Sequence, residues 1–382
     1  MLESLKLMPL PMDDIPMMAR KPLAPEAPKP LKMMAAKGAL PIPPDALPYV
    51  WYQLSFDADE EVRAAVAETI NTFDPALVVD TAQKDLPECI LDWLAKTSND
   101  PAVHEKLILN PKTSDATIMD MAEHAPKDTV ELIANNHIRL LRAPEIIEKI
   151  YVNPSARMAT VDKLFALAKE HNIELAGLKG VQESMNAAAA IDDTPGISDE
   201  EFEQILKESV AASAAEKPEG IENLREVKSI EEAEASETQE ETKKRVSRTQ
   251  IVEKMNAPQR IRLAAVGTRE DRTILIRDAR RVVYMAVITS PKMSIGEVTS
   301  LAASKNMPDE VIGYIAGRRD WVRYYPIVVA LVNNPKCPLA DALGFMKTLR
   351  ANDLKLLQKS KNISATLARQ AQMLYRQKAS GK

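Results

Sequence analysis

The sequence predicts an all-α protein built from helical repeats, and three observations support this prediction. Glycine is scarce, with 11 residues, and aromatic residues make up only 4% of the chain, whereas helix-favouring Ala, Leu, Met, Glu and Lys are abundant. Short apolar runs end in proline-containing turns and do not alternate with the period of two that strands require. Two distant stretches, Leu107–Lys169 and Val287–Thr348, carry the same pattern of turns.

The two stretches share both spacing and phrasing. Pro111 and Pro154 are 43 residues apart in the first, and Pro291 and Pro335 are 44 apart in the second. Between each pair a similar phrase recurs, LIANN followed by APEII in one and YIAGR followed by YPIVV in the other. Because a period of about 40–47 residues is typical of α-solenoids, the sequence predicts stacked helical repeats.

Residues 1–45 form a segment rich in proline and methionine. Eleven prolines lie from Pro9 to Pro48, and seven of the 17 methionines lie in the same region. Each proline blocks a helical hydrogen bond and favours extended geometry in the residue before it. We expect a disordered or extended tail, or a short motif that folds when it docks on a partner.

Residues 46–180 are expected to form the first folded unit, with about three short helices per repeat. Acidic residues crowd the start of its first clear helix, where the helix dipole favours them, and Val62, Ala65 and Val66 follow on one face. Asn-Pro steps are expected to close helices, with asparagine in a left-handed cap and Thr113 as the N-cap of the next helix. Helices this short need stacked neighbours for stability.

Residues 181–247 are expected to form an acidic linker that is mostly disordered. From 181 to 242 there are eighteen acidic and four basic residues, a net charge of −14. Ser198 and the acids after it resemble a capping box, which predicts one amphipathic helix. The remaining sequence has few apolar residues to bury.

Residues 248–378 are expected to form a second, basic unit of helical repeats. From 243 to the C-terminus there are 27 basic and 10 acidic residues, a net charge of +17. The apolar runs of both repeat stretches predict a set of core side chains. These are Leu107, Ile108, Ile133, Ile147, Ile150, Leu164, Leu301, Ile315, Val328, Leu331, Leu343 and Leu349.

The Asn-Pro-Lys steps at 110–112 and 334–336, together with the phrase DADEEVRAA at 57–65, resemble bacterial HEAT-like and leucine-rich-repeat-variant α-solenoids. The resemblance covers roughly two-thirds of the chain and is degenerate, since Ser290 replaces asparagine before Pro291. It implies a scaffold or recognition role and supplies no catalytic residues.

The sequence offers little for catalysis or metal binding. The two cysteines, Cys89 and Cys337, lie in different halves, and the four histidines show no metal-binding spacing. Phosphate-binding loops and nucleophile motifs are missing from the sequence. We therefore expect no enzymatic activity, no catalytic residues, no cofactor and no metal. Reduced cysteines and the lack of a long apolar run predict a cytoplasmic protein without a membrane span.

The most suggestive cluster is the run from Gly317 to Tyr325, in which three arginines interleave with three aromatic residues. The candidate anion-binding surface comprises Arg280, Arg281, Arg318, Arg319, Trp321, Arg323 and Arg350. Arginine binds carboxylates and phosphates bidentately and stacks on rings. The alternative is that the arginines only make the surface of the unit soluble and that Trp321 packs in its core.

The predicted function is a non-catalytic protein-interaction scaffold or adaptor. Its partner is expected to be an acidic protein, or the chain's own acidic segment 199–242 lying transiently over Arg318, Arg319 and Arg323. The alternative is a nucleic-acid-binding module that uses the basic second unit.

Overall fold

A computed structural model of the chain describes residues 7–188, 196–215, 229–230, 239–360 and 363–380. Throughout these ranges the regular secondary structure is helical and contains no strand, which confirms the all-α class. Internal contacts divide the chain into two units, Met1–Leu175 and Ala176–Lys382. None of the helices in the described ranges combines the length and apolar character needed to cross a bilayer.

The first unit contains short α-helices joined by tight turns. They are α1 (Lys29–Ala36), α2 (Leu47–Leu54), α3 (Glu60–Thr72), α4 (Pro75–Gln83), α5 (Glu88–Thr97), α6 (Pro101–Leu109), α7 (Asp115–His124), α8 (Lys127–Ala134), α9 (His137–Arg142), α10 (Glu145–Val152) and α11 (Met158–Glu170). Val62, Ala65 and Val66 of α3 face the core, as their spacing predicts.

The proline-rich N-terminal segment is packed against the first unit, which differs from the tail that its composition predicts. Three short 3-10 helices, Met12–Asp14, Met17–Ala19 and Lys21–Leu23, precede α1. Ile15 is buried, and the hydroxyl of Tyr52 in α2 donates to the Met8 carbonyl at 2.7 Å. The prolines prevent a long helix, as expected, but the apolar residues between them still cover α2.

The second unit begins earlier than the sequence indicates. Its helices are α12 (Lys179–Ala188), α13 (Asp199–Ala215), α14 (Gln239–Lys254), α15 (Ala257–Val266), α16 (Arg269–Leu275), α17 (Arg281–Ile288), α18 (Ile295–Ala303), α19 (Asp309–Gly317), α20 (Arg319–Val322), α21 (Tyr325–Asn333), α22 (Leu339–Met346), α23 (Ala351–Leu357) and α24 (Ala365–Ser380). A 3-10 turn, Ala176–Leu178, leads into α12.

Part of the predicted linker belongs to this unit. The expected amphipathic helix is α13, whose Phe202, Ile205 and Leu206 are buried and which packs against α15. The backbone N–H and carbonyl of Ile197 pair with the Gln259 side chain at 3.2 and 2.8 Å. Residues 197–215 are therefore packed against α15, and the transient contact of segment 199–242 with Arg318, Arg319 and Arg323 stays a prediction. The remaining parts of the linker, 216–228 and 231–238, fall outside the described residues.

The two repeat stretches have the same order of helices. In each, a proline turn is followed by two helices, a short third helix, a fourth helix and a second proline turn. The first helix packs against the fourth in both cases, α7 against α10 and α18 against α21. Each repeat thus has four helices where the sequence predicts three, because the segments just before Pro144 and Pro326 form a short helix of their own. The solenoid assignment itself stays a prediction.

The core prediction holds at eleven of its twelve positions. Leu343 alone is only half-buried, because α22 presents apolar side chains on more than one face and also leaves Leu339 exposed. The arrangement of apolar residues on the repeat helices is therefore the one that their spacing predicts.

Buried asparagine side chains explain the Asn-Pro steps, and the predicted left-handed cap is wrong. Asn110, Asn153 and Asn334 all have extended backbones, with φ of −73°, −70° and −87°. The amide of Asn334 donates to the carbonyls of Ala302 and Ser304 at 2.8 and 2.9 Å, and its oxygen accepts from a backbone N–H two residues on. Each asparagine therefore holds the end of an earlier helix.

The cap of α7 also differs from the prediction. Ser114 is its N-cap, because the hydroxyl of that residue accepts from the Thr117 backbone N–H at 3.0 Å. Thr113 instead turns inward and donates its hydroxyl hydrogen to the Leu107 carbonyl at 2.7 Å.

Candidate anion-binding groove

Helix α12 forms one wall of a groove in the second unit by packing against α15 and α17. Gly180 lets α12 approach α17 closely, because a Cβ atom at this position would lie 2.3 Å from the Thr289 Cβ. Val181, Ser184 and Met185 are buried on the packed face, whereas Lys179 and Glu183 are exposed. The sequence places this wall at the boundary between the first unit and the predicted linker.

The opposite wall carries a cluster of one arginine and two aromatic rings. The Arg318 guanidinium carbon lies 5.1 Å from the centre of the Trp321 ring and 5.7 Å from that of Tyr314. The two rings meet edge to face with centroids 5.9 Å apart, and Arg318 also donates to the Tyr314 hydroxyl at 3.1 Å. These contacts restrain a side chain that is 47% exposed, so its charge is held in place at the surface.

Between the two walls lies a cavity of about 560 Å³. Its lining residues from α12 and the turn before it are Ala176, Gly177, Lys179, Gly180, Glu183, Ser184 and Ala187. Those from the other side are Arg281, Val282, Met285, Ile288, Thr289, Ser290, Pro291, Met293, Tyr314, Arg318 and Trp321. The sequence-predicted surface therefore contributes Arg281, Arg318 and Trp321 to one concave site.

The charge of Arg281 is balanced within the protein. Its guanidinium bonds the Glu310 carboxylate at 2.6 Å, and this hydrogen bond raises the pKa of Arg281. The Tyr284 hydroxyl donates to the same carboxylate at 3.2 Å, and partial burial, followed by the charge of Glu310, raises the pKa of Tyr284. By contrast, the carboxylate paired with Arg318 is that of Asp320, at the longer distance of 3.9 Å. Arg318 is therefore the better placed of the two to bind an external anion.

The other predicted arginines do not line this groove. Arg280 bonds Asp278 at 3.4 Å and lines a separate hollow that also includes Arg260, the other partner of Asp278. Arg319 is exposed, and Arg323 lies 5.0 Å from the centre of the Tyr324 ring. The seven residues thus do not share one concave surface.

Arg350 belongs to a small cluster around Tyr325. Its guanidinium carbon lies 4.7 Å from the centre of the Tyr325 ring. The Tyr325 hydroxyl accepts from the Arg350 backbone N–H at 2.9 Å and donates to Asp353. Partial burial, followed by the hydrogen bond to Asp353, raises the pKa of Tyr325. This hydroxyl joins the start of α21 to the start of α23, so the contact supports the fold.

Neither cysteine thiol has the lowered pKa of an activated nucleophile. Burial raises the pKa of the Cys337 thiol to about 12, with Asp341 as a second cause, and burial also raises the pKa of Cys89. Both thiols are therefore poor nucleophiles at neutral pH. Within the ranges that the structure describes, His, Cys, Asp and Glu side chains do not gather in groups of three that could hold a metal ion.

Sequence reasoning missed Lys179, Glu183 and Tyr314 as residues of the site. Lys179 and Glu183 lie in a stretch whose charge pattern indicated a linker, and only the packing of α12 reveals their position. Tyr314 could have been suspected from the sequence, because it lies on α19 only four residues before Arg318, the residue that follows the end of this helix. Comparisons with protein-family models, curated proteins and solved structures found no match to the chain.

Proposed function

We propose that the chain is a non-catalytic interaction scaffold built from helical repeats, and that its second unit binds an acidic protein segment. The observation that carries the proposal is the restrained, half-exposed guanidinium of Arg318 at the rim of a groove. Arginine held in this way can bind a carboxylate with little further loss of side-chain freedom. The repeated helix order, with its short helices and interlocking asparagines, supports the scaffold part of the proposal.

A protein partner fits the cluster better than nucleic acid does. Single-stranded nucleic acid is usually held by bases stacked on open aromatic faces. Here the ring faces of Tyr314, Tyr324 and Tyr325 are each contacted by an arginine of the protein itself, and Trp321 is contacted by Arg318. The rings therefore position cations, which favours a ligand that offers carboxylates.

The test compares two anionic ligands on the full-length protein. A glutamate-rich peptide and a single-stranded oligothymidine of equal charge are titrated by calorimetry across a range of salt concentrations. We expect the peptide to bind and a variant with Arg318, Arg319 and Arg323 all changed to Gln to lose that binding. Changing Arg369 on α24, an exposed arginine outside the cluster, to Gln serves as the control. Tighter binding of the oligonucleotide, with an affinity that falls steeply with salt, would favour the nucleic-acid alternative.

A further inference from the structure

The two repeat stretches differ in the side chains that lie beside their opening proline turns. Segments 132–144 and 314–326 have equal length and match position by position, from the Leu-Ile-Ala and Tyr-Ile-Ala phrases to Pro144 and Pro326. In this register Arg139 corresponds to Trp321. The residues that build the arginine–aromatic cluster in the second stretch, Tyr314, Arg318 and Trp321, replace Leu132, Asn136 and Arg139.

Arg139 closes the first stretch with its guanidinium. The side chain is 5% exposed and donates to the carbonyls of Asn110 and Thr113 at 2.8 and 3.0 Å. These carbonyls belong to the Asn-Pro turn. The arginine thus holds the turn through two hydrogen bonds.

Trp321 does not reach the corresponding turn in this way. Its ring lies beside Arg318 and Tyr314 and stays half-buried, and the turn residues Ser290, Pro291 and Met293 line the groove instead. Where Trp321 replaces the arginine, the turn thus lines the groove, and Arg318 adds a cation at the surface in place of Asn136. This difference between otherwise similar stretches places the arginine–aromatic cluster beside the turn in the second stretch alone among the two.

The charges and side chains around the groove define the ligand. Glu183 is the one carboxylate among the lining residues, against the cations of Lys179 and Arg318, whereas the charge of Arg281 is balanced by Glu310. Met285 and Met293 supply a half-buried apolar surface next to these charges. Methionine side chains adapt to ligands of different shape.

We infer that this groove binds a peptide segment in which an acidic residue lies next to a large apolar one. The carboxylate bonds the Arg318 guanidinium, and the apolar side chain packs against Met285 and Met293 between α12 and α17. The inference rests on the proposed function and adds the location of the site and the chemistry of the segment. Because α12 forms one wall, a fragment that begins at residue 243 would lack the complete site.

The first test uses two arginines that are adjacent and carry the same charge. A synthetic peptide that combines Glu with Leu is titrated into full-length protein and into the Arg318→Gln and Arg319→Gln variants. Arg318 lines the groove and Arg319 does not. We expect Arg318→Gln to weaken binding roughly tenfold or more, because it removes a charged hydrogen bond. Arg319→Gln should weaken it less than about twofold, because exposed charges contribute little individually.

The second test addresses the apolar half of the ligand. A peptide of equal charge with Ser in place of Leu should bind more weakly to wild-type protein than the Glu and Leu peptide. Binding of the latter should also protect Trp321 from acrylamide quenching, while Trp51 and Trp93 are buried already. Replacing these two with Phe isolates the Trp321 signal.

The possible outcomes distinguish failure of the peptide groove from failure of the proposed function. Equal losses in Arg318→Gln and Arg319→Gln would show binding spread over the basic surface, which overturns the groove and leaves the proposed function intact. Equal affinity for the Leu and Ser peptides overturns the apolar contact. A wild-type protein that binds neither acidic peptide overturns the proposed function itself. Circular dichroism of each variant confirms that its helices are retained.

Discussion

The two repeat stretches have the same helix order but differ in the polar side chains that hold their opening turns. Both have the same helix order and the same pairing of first and fourth helices. In the first, Asn110 and Asn153 begin and end the repeat, and Arg139 bridges to the opening turn. In the second, the opening residue is Ser290, whose hydroxyl lies 3.4 Å from the Ala265 carbonyl, and a tryptophan replaces the bridging arginine. The two stretches thus differ in the side chains at their opening turns, whereas their matched apolar positions are buried in both.

The largest expected effects test the part that the two stretches share. Ile133 and Ile315 occupy matched positions and are 1% and 0% exposed. Ile133→Ala and Ile315→Ala should each lower the free energy of unfolding by about 2–5 kcal/mol, measured by urea denaturation. Leu356→Ala, at a site that is 69% exposed, should change it by less than about 0.5 kcal/mol. A large loss at only one of the two isoleucines would show that the cores differ.

The second prediction contrasts the two turns of the second stretch. Asn334→Ala leaves the buried carbonyls of Ala302 and Ser304 without this donor and should cost about 3 kcal/mol of unfolding free energy. Ser290→Ala removes only a long hydrogen bond and should cost less than about 1 kcal/mol.

Asn333→Ala provides the neighbouring control, since the Asn333 side chain bonds only the Val329 carbonyl of its own helix. Similar unfolding midpoints for the Asn334, Asn333 and Ser290 variants would mean that the buried asparagine does not hold the repeat together.

The third and smallest expected effect concerns the bridging position itself. Arg139→Met should cost about 2 kcal/mol, because lost hydrogen bonds to two turn carbonyls are partly offset by the removal of a buried charge. Burial already lowers the pKa of Arg139, which is the direction expected for a charge that burial disfavours. Trp321→Met should cost less, because Trp321 is half-buried and lines an open groove. Thermal unfolding followed by circular dichroism compares the two, and a reversed order would contradict the structural role given to Arg139.

The sequence predicts the helical class, the repeated spacing and most of the core well, for a physical reason. Apolar periodicity reports directly on which helix face is buried, so Leu107, Ile133 and Leu331 could be placed without a structure. The residue types alone identify the candidate arginines in the sequence. They do not show which arginines lie together in the structure. Whether Arg280 and Arg281 face the same side depends on the turn that begins α17 and on competing carboxylates such as Asp278 and Glu310.

Composition was a poorer guide at the edges of the units. Residues 7–36 have the prolines of a disordered tail, yet Ile15 and Ala35 are buried against neighbouring helices. The acids of α13 suggested a linker, yet they occupy its exposed face while Phe202 and Leu206 point inward. Average charge and proline content describe what a segment exposes, whereas a few well-spaced apolar residues decide whether it packs.

The asparagine turns also limit how far a disturbance travels along the chain. The amide of Asn153 reaches back to carbonyls 28 and 31 residues earlier, and that of Asn334 to carbonyls 30 and 32 residues earlier. Each hydrogen-bonded asparagine therefore joins helices that are about one proline turn apart in the sequence. Loss of one asparagine should raise amide hydrogen exchange in the helices that it joins and leave helices farther along the chain protected.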